Sequence, residues 1–520
     1  MAEIRRVALE PQRHRVSGVK LAMVVVALCL LLILCGLDQT IVTTAVPVIT
    51  NEFKAIKDVG WYTSAYLLTT SSFQIAYGKL YTILSVKLVL LTALAIFELG
   101  SIICAAASNS TFLIMGRAIA GLGAAGIFPG STLVLVHSVP MNRRPALLGI
   151  TNGMFGIASL CGPLIGGALA DGATWRWCFI INVPLGVMAA VMLAFFVTTP
   201  VDPAYASWTF KDKLVYAKML DILLLVAALA SLVLGLQWGG TVYPWTNGRV
   251  IALLVIFSVL ATTFMIAHVW FPKSGAIPTA IAKNRNMWFA SIFAICSAGA
   301  MFVAVTYLPI YFQAIRNASA LSSGLMVMPL ILGYFVTAII SGVMTNITGY
   351  YNPSMFLCAV LASVGAGLVS TFDVDTPQSK WIGYQALLGI GIGFGLQQPT
   401  ICAQNVLDDT DVPFGVAFIN MMQMLGGAIC VAVSQNLFLN ELATGVAEVL
   451  PGFDTRKIIE RGVTDFSNLF SPNQLSHVMP VYAHVLRTVY LIMTGLCVAT
   501  LLGALGVQWR SITKKENQAE

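Results

Sequence analysis

A chain of 520 residues with 58% hydrophobic side chains, only 10% charged ones and a mean hydropathy of +0.84 lacks the polar surface of soluble domains, about a quarter of whose residues are charged. Its net charge of +7 clusters near the ends of apolar runs, where it reads as an orientation signal for a lipid-embedded protein and not as nucleic-acid binding. The ten cysteines stand singly in those runs, with no C-x-x-C pair and no histidine at ligand spacing, which argues against a metal site.

Residues 1–19 form a cytoplasmic N-tail carrying Arg5, Arg6, Arg13 and Arg15. The apolar stretch that follows is far longer than a signal-peptide core, so no cleavable leader is expected. A spanning helix needs about 20 mostly apolar residues, and fourteen segments meet that criterion. They begin near Lys20, Trp61, Leu88, Phe112, Ala146, Phe179, Leu220, Val250, Trp288, Ser323, Met355, Trp381, Pro413 and Val485. The predicted organisation is an all-α integral membrane protein. Spans one to six fall within 20–198, spans seven and eight within 199–286, and spans nine to fourteen within 287–506, ahead of a short inner tail at 507–520. With the amino terminus inside, 18 Lys and Arg fall on inner loops and tails and ten on outer ones, in accord with both ends inside. Trp208 to Lys218 reads as an amphipathic inner segment and Asn440 to His484 as a long polar outer loop. Asn109 and Asn317 open N-x-S/T sequons on short outer loops.

Ionisable residues inside a bilayer are costly and therefore functional candidates. Asp38 lies in the outer half of the first span and Arg117 near the outer end of the fourth, at similar depth, so the two can meet. Such a pair is either a proton switch, in which the partner's charge and desolvation pull the carboxylate in opposite directions, or a static ion pair. Glu98, near the middle of the third span, either titrates or hydrogen-bonds a neighbour while neutral. The fifth span carries Gly153, Gly156, Gly162, Pro163, Gly166 and Gly167, a density of helix breakers that a membrane tolerates where neighbours satisfy the freed backbone. Close packing explains the glycines, and a Gly-Pro kink adds a place where two bundles press together and part.

Gln397 and Gln398 interrupt the twelfth span, and Asn420 and Gln423 lie in the thirteenth. These amides either line a wet substrate cavity or tie helices together, at about 0.6 kcal/mol each. No Walker A pattern, metal cluster or Ser/His/Asp arrangement occurs, and the five histidines fall at tails, membrane ends or the outer loop. Neither an ATP-driven pump nor an enzyme is expected, and no cofactor.

At these residues the chain resembles the major facilitator superfamily, and within it the fourteen-spanner drug/proton antiporters. The stretch Leu37-Asp38-Gln39-Thr40-Ile41-Val42, continuing to Pro47, resembles that family's first-helix motif. Arg117 with Gly121 and Gly123 resembles the fourth-helix motif, and Gly153 through Gly167 the antiporter motif. Gly78, Lys79 and Lys87 stand in the loop of the inner gate, where Tyr81 replaces the usual acidic residue. This variant, with Trp61-Tyr62-Thr63-Ser64-Ala65-Tyr66-Leu67 before it and the long outer loop, looks most like fungal toxin and secondary-metabolite efflux pumps. The resemblance implies two six-helix bundles with a midplane cavity open alternately to each side. It assigns proton coupling to Asp38 and Arg117, beside the Glu98 singled out above, and implies export of a small, largely apolar compound, with a monomer as the expected state. The plasma membrane is the expected location, the vacuolar membrane the other option. An importer or exchanger such as a siderophore transporter, and a receptor built on a transporter scaffold, are the alternative readings.

Overall fold

The computed structural model describes residues 18–53, 59–140, 143–198, 219–240, 243–270, 278–451, 470 and 472–512. Their regular structure is helical, apart from one isolated bridge between Gly239 and Tyr243. The helices are α1 (Val19–Phe53), α2 (Val59–Ile83), α3 (Val86–Ala105), α4 (Ser110–Ser138), α5 (Arg144–Gly172), α6 (Trp177–Ile180) and α7 (Asn182–Phe196). Then come α8 (Met219–Trp238), α9 (Gly248–Trp270), α10 (Thr279–Ala282), α11 (Arg285–Ala314), α12 (Ala320–Met326) and α13 (Met328–Thr348). The chain continues through α14 (Asn352–Val369), α15 (Gln378–Gly395), α16 (Gln398–Val406), α17 (Val412–Val449) and α18 (Pro472–Gly506). Among the described residues, ten helical stretches are long and apolar enough to cross a membrane.

Helix is the only open-ended element that satisfies its own backbone in hydrocarbon, and the ends are closed by short-range chemistry. The Asn109 side chain accepts from Phe112 N at 2.8 Å, and Asn284 and Ser319 cap α11 and α12 in the same way. Proline occupies the first turn of α5, α14, α16 and α17. Gly349 ends α13 with φ of 72°. Large apolar side chains such as Leu88, Phe195, Val255, Ile347 and Leu502 are exposed, as a lipid-facing perimeter requires.

The helices sort into two groups. In the first, α1 packs on α5, α4 on both α2 and α3, and α7 on α1 and α3. In the second, α15 packs on α13 and α14, and α11 on α17 and α18. Two seams join the groups, α2 against α17 and α5 against α13, while α8, paired with α9, touches both α2 and α17. The side on which α1 begins is called inner below.

Each predicted span start except the last falls within three residues of an observed helix start. The exception corrects the expected outer loop at 440–484. Helix α17 runs on to Val449 and α18 begins at Pro472, so both flanks of that stretch are helical. They extend as a pair because Leu442, Val446, Val478 and Tyr482 are buried, with Phe438 meeting Tyr482 edge-on at 5.4 Å. A hydropathy window misses such helices, since Glu441 and Glu448 dilute an apolar stripe. Residues 452–469 and the Trp208–Lys218 segment lie outside the described residues.

Candidate functional site

Asp38 and Arg117 meet. Both side chains are fully buried, and Arg117 Nη1 donates to Asp38 Oδ2 at 2.6 Å and to the Asp38 backbone oxygen at 3.2 Å. Arg117 Nε donates to the Tyr62 backbone oxygen at 2.8 Å, and the guanidinium lies 4.5 Å from the centroid of the Tyr66 ring. The planar fork thus binds α1 and α2 at once from α4, which an ammonium could not do with the same geometry. The other carboxylate oxygen, Asp38 Oδ1, accepts from Asn182 Nδ2 at 3.1 Å, and the same amide reaches Ser101 Oγ at 3.2 Å. Asn182 and Ser101 are both fully buried.

Glu98 stands one turn before Ser101 on α3, within electrostatic reach of Asp38. Both of its carboxyl oxygens are buried without a hydrogen-bond partner among the described residues. A fixed charge in that setting is costly, and the neighbour to which a neutral Glu98 would hydrogen-bond is not found among the described residues. Gly186 on α7 makes the room: a Cβ there would collide with Glu98 Oε1.

The glycines of α5 serve two partners. Toward α1, a Cβ at Gly162 would strike the Thr40 side chain. Toward the second group, one at Gly153 would strike the Phe335 ring, and one at Gly156 would lie 3.1 Å from Tyr334. The seam tightens toward the inner side, where Gly149 approaches the Ala338 carbonyl (2.5 Å from a built Cβ) and Gly342 of α13 approaches that of Pro145. The Cys178 thiol donates to the Gly166 carbonyl at 3.8 Å. Pro163 and Gly167 lie in α5, and their side-chain surroundings fall outside the described residues.

The other seam closes at the same level. Gly78 faces Ala417 and Phe414, with a built Cβ 2.7 Å from the Ala417 methyl. The buried Lys79 ammonium lies 5.1 Å from the Phe414 ring centroid. One turn ahead of Phe414, burial and the like charge of Asp408 push the Asp411 carboxyl above the ordinary range, while Lys79 pulls it back. Tyr81, which replaces the expected acid, turns inward: its hydroxyl donates to Gly126 O at 2.8 Å within the first group. Lys87 also stays there, donating to the Ala194 carbonyl near the end of α7.

Two amides of the second group are engaged in packing. Gln398 donates to Ser341 Oγ at 2.7 Å and accepts from Thr345, tying α16 to α13. Gln423 donates to Leu396 O at 2.8 Å, satisfying the carbonyl at the α15–α16 break, and Gln397 stands at that break, just before α16, without a side-chain capping bond. Asn420 is buried on α17. Asn109 and Asn317 are exposed. A cleft of about 610 Å³ at the outer side of the second group, lined by Arg316, Asp375, Gln378 and Trp381 among others, contains none of the site residues singled out from sequence. Those readings missed Asn182, Ser101 and Gly186, and they gave Tyr62 and Tyr66 no role at the site. Asn182 carries the one usable signal, an amide two residues before a proline inside an apolar run.

A family model described as the Major Facilitator Superfamily matches residues 28–431. The thioclapurine efflux transporter of Claviceps purpurea is 77% identical over 514 residues, covering 98% of this chain and 95% of that protein. An efflux pump of Aspergillus parasiticus is 44% identical, covering 98% and 99%. The fold also matches a solved proton:xylose symporter at a TM-score of 0.55 and 14% identity, covering 96% of this chain and 98% of that one. The chain belongs to the Major Facilitator Superfamily.

Proposed function

We propose that this member of the superfamily is a proton-coupled exporter of a small, largely apolar secondary metabolite, thioclapurine or a close chemical relative. The cargo class rests on the 77% identical relative, whose name gives thioclapurine as its substrate. The coupling rests on one observation, the fully buried Asp38–Arg117 pair at 2.6 Å. A proton arriving on Asp38 cancels the charge that Arg117 answers, the link from α4 to α1 loosens, and the bundles rock about the α2/α17 and α5/α13 seams. Glu98 is the second carboxyl on the proton's route. The fourteen-span reading completes the picture: two six-helix bundles with α8 and α9 inserted between them, working as a monomer in the plasma or the vacuolar membrane. The arrangement described here is the state with the inner side sealed.

The test is thioclapurine accumulation in inside-out vesicles under an imposed pH gradient. Wild type is expected to accumulate it and to stop when the gradient is collapsed. Asp38→Asn is expected to lose gradient-driven accumulation while still equilibrating cargo. A variant that accumulates like wild type removes Asp38 from the mechanism.

A further inference from the structure

We propose that Asn182 is a positioning residue for the coupling carboxylate, holding Asp38 on α3 and α7 in both of its protonation states so that only the link to α4 opens. The inference rests on the reading of Asp38 as the coupling group. Among the described residues Asn182 is the side chain that reaches Asp38 Oδ1, since Arg117 takes Oδ2 and the backbone oxygen. It occupies the first position of α7, directly after the Ile181 break that separates α6 from α7. Pro184 lies in the same first turn, where its missing N–H is tolerated. Head and side chain are thereby fixed at the point where α7 crosses both α1 and α3.

The chemistry of the amide is the second argument. A carboxylate needs a donor, which Asn182 Nδ2 supplies, whereas a protonated carboxyl presents an O–H that needs an acceptor. Arg117 cannot accept. The Asn182 amide can, because its Oδ1 is buried and has no partner among the described residues, and rotating the amide exchanges donor for acceptor in nearly the same place. The other titratable groups around Asp38 are Cys35 on α1, Tyr66 on α2, Glu98 and Cys104 on α3 and Arg117 on α4. The α5 face meets α1 here through Gly162. Of these groups only Arg117 holds Asp38 by a hydrogen bond, so protonation weakens the charged bond from Arg117 to the carboxylate and leaves the one to the amide.

Two measurements on the purified full chain test this, with Asn182→Leu, close in shape but without an amide, and Ser101→Ala as control. The first is labelling of Asp38 by dicyclohexylcarbodiimide, which attacks protonated carboxyls in apolar surroundings, read by mass spectrometry and needing no cargo. Asn182→Leu is expected to raise labelling about tenfold, the order expected for one hydrogen bond to a charged group, and Ser101→Ala much less. The second compares thioclapurine counterflow with gradient-driven uptake in proteoliposomes. Asn182→Leu is expected to keep counterflow within twofold and lose about tenfold of the driven rate. Unchanged labelling in a folded variant, or equal loss of both transport modes, overturns the assignment. Asn182→Leu matching wild type while Asp38→Asn is uncoupled defeats Asn182 alone, whereas a coupled Asp38→Asn defeats the underlying reading. If Asn182→Leu does not reach the membrane, Asn182→Ser, too short to bridge Asp38 and Ser101, takes its place in both measurements.

Discussion

The cluster around Asp38 and the inner seam between the two helix groups are both buried, and they are held by opposite means. In the cluster a charge pair and an amide join α1, α3, α4 and α7 with directional bonds of 2.6–3.2 Å. At the seam, Gly78, Gly149 and Gly342 let backbones and small side chains touch, and Lys79 over Phe414 adds a charged contact. Directional bonds fix one geometry, and the charged one fails sharply when a proton arrives. Contacts without direction part and re-form cheaply, as a surface that must open on every cycle requires. The first region is therefore suited to sensing and the second to moving.

The comparison breaks most severely at Arg117. Removing one partner of a buried ion pair costs about 3–5 kcal/mol, because the other charge is left stranded. Arg117→Leu is expected to lower the yield and thermal midpoint of the purified protein markedly, measured by fluorescence-detected unfolding. Arg117→Lys is expected to rescue it poorly, since one ammonium cannot serve Asp38 and the Tyr62 carbonyl together. Adding Asp38→Asn to Arg117→Leu is expected to restore part of the loss, and failure to do so would mean the cluster is held by packing and not by charge.

The seam is expected to fail differently. Gly149→Leu places a side chain against the Ala338 carbonyl, and overpacking of this kind costs about 1–3 kcal/mol. The penalty falls on the sealed arrangement alone, so its population drops by about tenfold while the fold survives. Spin labels on the inner ends of α5 and α13 are expected to show longer distances at near-normal yield, with transport impaired.

A smaller effect is expected at Lys79, where the cation–π contact is worth about 0.5–2 kcal/mol. Lys79→Met keeps the packing length and removes the charge. It also removes the attraction that partly offsets the upward push on Asp411. A raised carboxyl favours the sealed end at low pH and loses that contribution as pH rises through its shifted value. In Lys79→Met the loss moves to higher pH, which the same spin labels can follow across a titration.

How far sequence alone reaches follows from the same contrast. Long apolar runs declare themselves because the bilayer allows one solution, so helix starts were legible to about a turn except where α18 is amphipathic. Asp38, Glu98 and Arg117 were legible because a charge in such a run is conspicuous. Asn182 was not, since an amide there competes with Gln397, Gln398, Asn420 and Gln423, at least two of which serve helix packing. Which carbonyl Gly149 approaches, and that Lys79 crosses to Phe414, depend on tertiary register that no local pattern carries.

The smallest expected effect separates the charged cluster from charge in general. Glu52, in the last turn of α1, pairs with Arg176 at 2.9 Å and accepts from Trp175 Nε1 at 2.6 Å. Arg176 also donates to the Ala107 carbonyl, so the outer ends of α1, α3 and α6 are laced together. The hydrogen bonds from Arg176 and Trp175 hold the Glu52 carboxyl below its ordinary range. Its stabilising contribution is thus present above the unfolded Glu range and lost as pH falls through the lowered value. With side chains 33% and 43% exposed, water and salt screen the pair to about 0.2–1 kcal/mol. Glu52→Gln is expected to lower the thermal midpoint slightly at pH 7 and to flatten its decline toward pH 4, with the difference shrinking in high salt. An acid decline that persists unchanged in Glu52→Gln would assign it to another carboxyl, and a loss as large as that of Arg117→Leu would remove burial as the reason the two pairs differ.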